Sequence, residues 1–284
     1  MLYFISTPIG NLNDISLRAI DVIRSSDYLY AEDTRTTKKL LDFIDCNKKC
    51  KSFHEHNEDR TSIEIIKYIK DNKTVSIVSD AGTPAVSDPG YKLIRECSKE
   101  SINYTLIPGP SSVLSALVMS GLPTDKFSFY GFMPRKKSEQ QLCFENLKNE
   151  NKTAIFFESS NRVKKTISHM LRFLDPTRNI SICKEMTKLH EQILRGNLVD
   201  MLEDIKNDKI LLKGEIVIVI EGSKKYIKNI ALDIKTKKEF LKKMSASDAA
   251  KLISLVTGEN KRDIYKYLFY FCLLYTSDAA DELR

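Results

Sequence analysis

No run in these 284 residues approaches the roughly 18 consecutive apolar side chains of a membrane span, so a spanning helix is not expected. The first residues, Met1-Leu2-Tyr3-Phe4-Ile5-Ser6-Thr7-Pro8, lack a basic lead-in and break after four apolar positions. They read as a first strand and not as a signal peptide. The six cysteines, Cys46, Cys50, Cys97, Cys143, Cys183 and Cys272, form no CxxC pair. That argues against a zinc site and for reduced thiols in a cytoplasmic protein. No GxGxxG follows the first strand, and neither GxxxxGKS nor GxxxxGKT occurs, which disfavours dinucleotide and P-loop sites. An apolar fraction of 42% is enough for real cores and excludes global disorder. The length suggests about two domains.

The excess of basic over acidic residues is concentrated in one place. Residues 223–267 carry twelve Lys and Arg against five Asp and Glu, whereas residues 1–222 are nearly balanced at 32 against 30. The net charge of +7 therefore sits in one C-terminal segment. Such a local excess is the footprint of a polyanion partner, although a solvated lysine-rich helix face has the same composition.

The most informative stretch is Val78–Gly90, VSDAGTPAVSDPG. The β-branched run Thr74-Val75-Ser76-Ile77-Val78 stops at Ser79-Asp80, and two turns of small residues follow. A buried strand would thus deliver a carboxylate and an open backbone to its C-terminal end, where open α/β sheets bind ligands. A surface loop uses the same turn residues, so the segment alone leaves both readings open.

Around it, strands and helices alternate. Strands are expected at Leu2–Ser6, Tyr28–Ala31, Val75–Val78 and Tyr104–Ile107. Helices are expected after Asp14 or Ser16, with Leu17, Ile20 and Ile23 on the buried face, and at 36–43, 63–69, 92–99 and 112–119. This order predicts a mostly parallel sheet. A second α/β unit begins near Phe127, with strands at Thr153–Phe157, Ile180–Cys183 and Glu215–Glu221 and a helix over Arg162–Leu174. Residues 222–229 read as a linker before three short helices at 237–244, 248–256 and 261–268. The expected organisation is an α/β domain over 1–121, a second over 122–224, a basic helical appendage over 235–270, and a tail over 271–284. That tail changes charge sign, continues no pattern and reads as non-native.

Four segments place small or reactive residues at strand ends: Thr7–Asn11, Ala31–Arg35, Val78–Gly90 and Pro108–Ser112. In a parallel sheet all four open on one side and could line one crevice. His54-Glu55-His56 resembles a metal cluster, but alternating neighbours of an extended segment point to opposite faces, so no metal is expected there. Glu185-Met186-Thr187-Lys188 is either a solvated helix start or a glutamate and lysine facing the crevice.

Nine motifs then occur in order: TPIGN (Thr7–Asn11), AEDTR (Ala31–Arg35), SFHEHNE (Ser52–Glu58), the Val78–Gly90 run, PGPSS (Pro108–Ser112), SGLPTDKFSFYGFMPRK (Ser120–Lys136), FFESSNR (Phe156–Arg162), KEMTKLHE (Lys184–Glu191) and Arg195-Gly196. Together they resemble a bacterial family of small-subunit ribosomal RNA methyltransferases, cytidine 2′-O-methylating members of the tetrapyrrole methylase superfamily. The likeness spans about residues 1–270, with small departures at the turn Ser159-Ser160-Asn161-Arg162 and at Lys184, where arginine is usual.

The resemblance implies two consecutive α/β domains with S-adenosylmethionine in the cleft between them. It implies 16S ribosomal RNA or the 30S subunit as partner, a homodimer, and no metal or membrane. Matched onto this sequence, Pro8, Asp80, Thr83, Ser111 and Ser112 would contact the cofactor, Gly82 and Gly109 would let the backbone approach it, and Phe157 would cover the adenosine. Asp33, Arg35, Glu55 and Lys188 would act on the reacting hydroxyl, or else form a salt-bridge set that shapes the cleft. Two alternatives stay open: the same fold acting on a tetrapyrrole or diphthamide precursor, and a non-catalytic RNA-binding assembly factor.

Overall fold

The computed structural model describes residues 1–223, 234–241, 243–257 and 260–269. The chain falls into two compact units, Met1–Ser223 and Lys224–Arg284. The expected tail at 271–284, the linker from 224 onward and residues 258–259 of the last interhelical turn lie outside the described residues.

In the first unit, β1 (Leu2–Ile5), β2 (Tyr28–Ala31), β3 (Cys50–Ser52), β4 (Val75–Val78) and β5 (Tyr104–Ile107) form a parallel sheet in the order β3-β2-β4-β1-β5. Alternation along each strand assigns its two faces. Ile5, Leu29, Ala31 and Val78 pack against α1 (Leu17–Ser25) and α2 (Thr34–Phe43). Phe4, Tyr30, Val75 and Ile77 pack against α3 (Glu58–Lys70) and α4 (Tyr91–Lys99). Ser16 caps α1, its Oγ accepting from the Ala19 amide at 3.2 Å. Of the expected buried stripe of α1, Ile23 is fully buried and Ile20 packs partly buried against the same core, with Ala19 beside them; Leu17, at the first residue of the helix, is instead 80% exposed.

Helix α5 (Ser112–Ser120) leaves β5 but packs on a second sheet. That sheet comprises β6 (Phe127–Phe132), β7 (Thr153–Ser159), β8 (Asn179–Lys184), β9 (Gln192–Asn197) and β10 (Glu215–Ile220), in the order β6-β7-β10-β8-β9. Only β6 and β7 run parallel; the other pairings are antiparallel. One face is covered by α6 (Lys137–Asn149), α7 (Val163–Met170) and α8 (Leu198–Lys206), which bury Phe144, Ile167, Met170 and Met201 against Ala154, Phe156 and Ile218. The other face meets α5. There Ile9, Val113, Ala116 and Leu117 pack with Ile155, Cys183, Met186, Val217 and Val219. This apolar seam ties the two sheets together.

The second unit contains α9 (Ile234–Leu241), α10 (Ala246–Thr257) and a helix, α11, over 261–269. Ala249, Ala250, Ile253, Ile264 and Leu268 form its small core. Ser245 caps α10, its Oγ accepting from the Asp248 amide. No described helix is long and apolar enough to cross a membrane.

Truncating the seam should cost more than truncating the solvent face of the same helix. Leu117→Ala, at a position 3% exposed, is expected to lose about 2–5 kcal/mol of unfolding free energy in a denaturant titration. Val118→Ala, at 71% exposed, should stay within about 0.5 kcal/mol of the parent.

Candidate active site

The C-terminal ends of β1, β2 and β4 and the start of α5 meet the second sheet at one end of β6, β7 and β10, around three adjoining cavities. The first, about 450 Å³, lies between Glu32, Asp80, Asp88 and Ser112 on one side and Phe132, Phe157 and Met186 on the other. The second, about 410 Å³, is lined by Pro8, Gly10, Lys39, Asp80 and Lys188. The third, about 290 Å³, runs along Gly82, Thr83, Ser111, Ser112 and Phe157. The four strand-end segments singled out in the sequence thus open on one cleft.

Local geometry explains how each residue reaches it. Thr7 and Gly82 exchange backbone hydrogen bonds at 2.9 and 3.0 Å, clamping the β1 and β4 ends together. Gly82 adopts φ +83°, where other residues are strained. The Thr83 and Ser6 hydroxyls lie 3.1 Å apart. Ser111 caps α5, its Oγ accepting from the Leu114 amide at 3.5 Å. Gly109 lines none of the three cavities; a Cβ there would meet Ser6 Cβ at 3.0 Å. Along β7, Ile155 and Phe157 face the cleft side while Phe156 turns to the opposite core. Gly10 touches the second half of the chain so closely that a Cβ would meet Lys188 Cγ at 2.5 Å and the Met186 carbonyl oxygen at 2.8 Å.

Of the four residues expected at the reacting hydroxyl, the structure gathers three near Asp80 and leaves one apart. The Asp33 amide donates to Asp80 Oδ1 at 3.0 Å. Asp33 also caps α2 and pairs with the Arg35 guanidinium at 2.6 Å. Those bonds from Arg35 hold the Asp33 carboxyl down at about 2. Arg35 itself is 89% exposed at the side chain. Lys188 lies on the wall of the second cavity, 3.0 Å from Glu185 and 3.2 Å from Glu215. Burial works against its charge, but the two carboxylates outweigh it and hold its ammonium protonated above the usual lysine range. The segment around it is a turn and not a helix start, with Glu185 and Thr187 both at positive φ. Glu55 is exposed on the turn after β3 and lines none of the three cavities.

Sequence reasoning missed two carboxylates in the cleft. Asp88 and Glu32 line the first cavity with Asp80. Burial, then the neighbouring Glu32, raises the Asp88 carboxyl to about 7, with a Ser79 hydroxyl partly offsetting them. Burial and Asp80 raise Glu32 as well. Both residues stood inside quoted motifs, yet nothing in one sequence showed that β2 and β4 are neighbours. Glu158 also lines this cavity, but its carboxylate is spoken for by Arg162, Thr166 and the Ser159 amide.

The chain is a methylase by the family its sequence matches. A model of the tetrapyrrole (corrin/porphyrin) methylases matches residues 1–202. A crystal structure of diphthine synthase superposes with a TM-score of 0.59 at 14% identity, over 78% of this chain and 89% of that one, a likeness of fold alone. The ribosomal RNA small subunit methyltransferase I of Halalkalibacterium halodurans is 43% identical over 222 residues, covering 78% of this chain and 76% of that protein. The protein of the same name from Escherichia coli O157:H7 is 34% identical over 267 residues, 94% of this chain and 93% of its own. The chain belongs to the ribosomal RNA small subunit methyltransferase I family, within the tetrapyrrole methylases.

The raised Asp88 carboxyl has a consequence for stability. Unfolded, Asp88 loses its proton near 4; folded, it holds the proton to about 7. The native state binds more protons between these values, so stability falls as pH rises through that window. Asp88→Asn removes this dependence. Thermal melts should show the variant level with the parent at pH 4 and more stable at pH 8, by roughly 2–4 °C if about 1 kcal/mol survives solvent screening.

Proposed function

We propose that the chain transfers a methyl group from S-adenosylmethionine to the 2′-hydroxyl of a cytidine ribose in 16S ribosomal RNA. The observation that carries this reading is the single cleft that gathers Asp80, Gly82-Thr83, Ser112 and Phe157, in a chain 34–43% identical to ribosomal RNA small subunit methyltransferases I. When bound, the cofactor supplies an electrophilic methyl on a sulfonium centre.

The residues present fit that group. Glu32, Asp80 and Asp88 give the first cavity three carboxyl groups, suited to a cationic ligand, and Phe157 offers an apolar wall. Pro8, Thr83, Ser111, Ser112 and the Gly82 backbone complete the lining, while Gly109 keeps its turn tight against β1. Most of the rate would come from positioning and from charge complementarity in a shielded cleft. Asp33, held near 2, is a poor proton acceptor at neutral pH and acts through Asp80 and Arg35. Lys188 stays protonated and is placed to polarise a hydroxyl in the second cavity. Arg35, exposed outside the cavities, is available to RNA phosphates, and the exposed acidic side chain of Glu55 takes no part in this reading.

The basic helices belong to the same reading. Lys251, Lys261, Arg262 and Lys266 are exposed on α10 and α11, and phosphate contacts from such residues position a nucleic acid without specifying it. The homodimer is part of this reading too. A cytoplasmic location goes with this substrate.

Asp80→Ala is expected to weaken S-adenosylmethionine binding at least about tenfold by calorimetry, the effect of roughly 1.4 kcal/mol. Intact affinity with reduced turnover would mean that the loop is misassigned. Methyl transfer to purified 30S subunits, read by primer extension at low nucleotide concentration, should give a single ribose stop. Transfer only to a tetrapyrrole or protein substrate, or to nothing, would overturn the reading. Replacing Lys251, Lys261, Arg262 and Lys266 with glutamine should weaken RNA binding and flatten its salt dependence by about 0.7–0.9 in log–log slope per lost phosphate contact, leaving cofactor affinity unchanged.

A further inference from the structure

At the outer lip of the first cavity stands Phe132, a large aromatic ring that is 65% exposed. Its position depends on an irregularity in β6. Phe127, Ser128 and Phe129 pair in step with Thr153, Ala154 and Ile155, but the next partners are Phe132 and Phe157. β6 therefore advances three residues while β7 advances two, a bulge at Tyr130-Gly131 made feasible by Gly131 at φ +70°. In regular register Gly131 would stand opposite Phe157, and Phe132 would fall on the other face. One inserted residue flips every later side chain, so the bulge turns Phe132 toward the cleft.

The ring is also supported from one side. It meets Phe157 edge-to-face at 5.3 Å, and Phe157 meets Phe129 in the same manner at 4.9 Å. The backbone just beyond is pinned, because the Met133 amide donates to the Phe157 carbonyl at 2.9 Å and Arg162 donates to the Met133 carbonyl at 2.7 Å. Exposed cations follow directly at Arg135, Lys136 and Lys137. A supported, exposed aromatic face beside a basic loop is the arrangement that stacks a nucleobase and neutralises the adjoining phosphates.

We propose that Phe132 is a stacking platform for a nucleobase of the RNA substrate at the mouth of the cleft, with Arg135 and Lys137 on the flanking phosphates. The inference rests on the RNA-methylating reading above. Phe157, half-buried and shared by the first and third cavities, is the inner aromatic wall; Phe132 lies outside it, next to cations for which a cofactor without phosphates has no use.

The test uses the full chain and four proteins: the parent, Phe132→Ala, Phe132→Trp and the double variant Arg135→Gln with Lys137→Gln. Phe132→Ala should lower 30S affinity between about five- and a hundredfold, with S-adenosylmethionine affinity, melting temperature and oligomeric state unchanged. Phe132→Trp should retain the affinity of the parent, and the double variant should bind RNA more weakly with a shallower salt dependence. The inference is overturned if Phe132→Ala binds 30S like the parent. It is equally overturned if that variant loses cofactor affinity, which would make the ring an adenine wall, or changes oligomeric state, which would make it a subunit contact. Equilibrium binding keeps the two readings apart. A parent protein that binds RNA through Phe132 but methylates nothing refutes the reaction and not the platform.

Discussion

The apolar seam between α5 and the second sheet is the constraint on which the cleft depends. Helix α5 starts at the end of β5, yet Val113, Ala116 and Leu117 are buried against β7, β8 and β10. A helix that belongs to one sheet by sequence and to another by packing fixes the distance between them. Ile9 and Met186 join the same cluster from the two loops that meet at Gly10. The cavities lie beside this seam, so their walls come from both halves of the chain.

Once the sheets are held, charge follows from topology. Parallel pairing of β2 with β4 brings Glu32, Asp80 and Asp88 to one end of the sheet. Carboxyl groups partly removed from water near one another resist ionisation, and burial raises all three. The ion pair of Asp33 with Arg35 lies just outside this group and behaves oppositely, because hydrogen bonds to the charged form dominate there. On the proposed function, an acidic interior edged by Arg35, Lys39 and Lys188 separates a place for a cation from a place for a polyanion.

Much of this was legible in the sequence, for physical reasons that differ by element. β10 is a β-branched run from Ile216 to Ile220 and β4 departs from one only at Ser76, so both read as buried strands; the strand-end motifs are legible residue by residue, their neighbours in space are not. β3 was missed because Cys50–Ser52 is three residues long with no apolar alternation, and β9 because Arg195-Gly196 interrupts its pattern. Of the stripe expected on α1 only Leu17 lies out, at the first residue of the helix, and Ala19 turns inward instead. Asp88 and Glu32 were passed over since their importance comes from being adjacent in space. Phe132 was unreadable for a different reason: a bulge reverses which face a residue takes, and only strand register reveals it. The hydroxyls of Thr83 and Ser111 carry local hydrogen bonds to Ser6 and Leu114 that residue type alone does not predict.

On the proposed function, one cleft between the two sheets holds the methyl donor. A crystal structure of the protein grown with S-adenosylhomocysteine, the product form of that donor, tests this directly. Density is expected in the adjoining cavities, with the Gly82-Thr83 backbone and Asp80 on one side of the ligand and Phe157 on the other. Ordered ligand elsewhere on the chain, with those residues untouched, would contradict it.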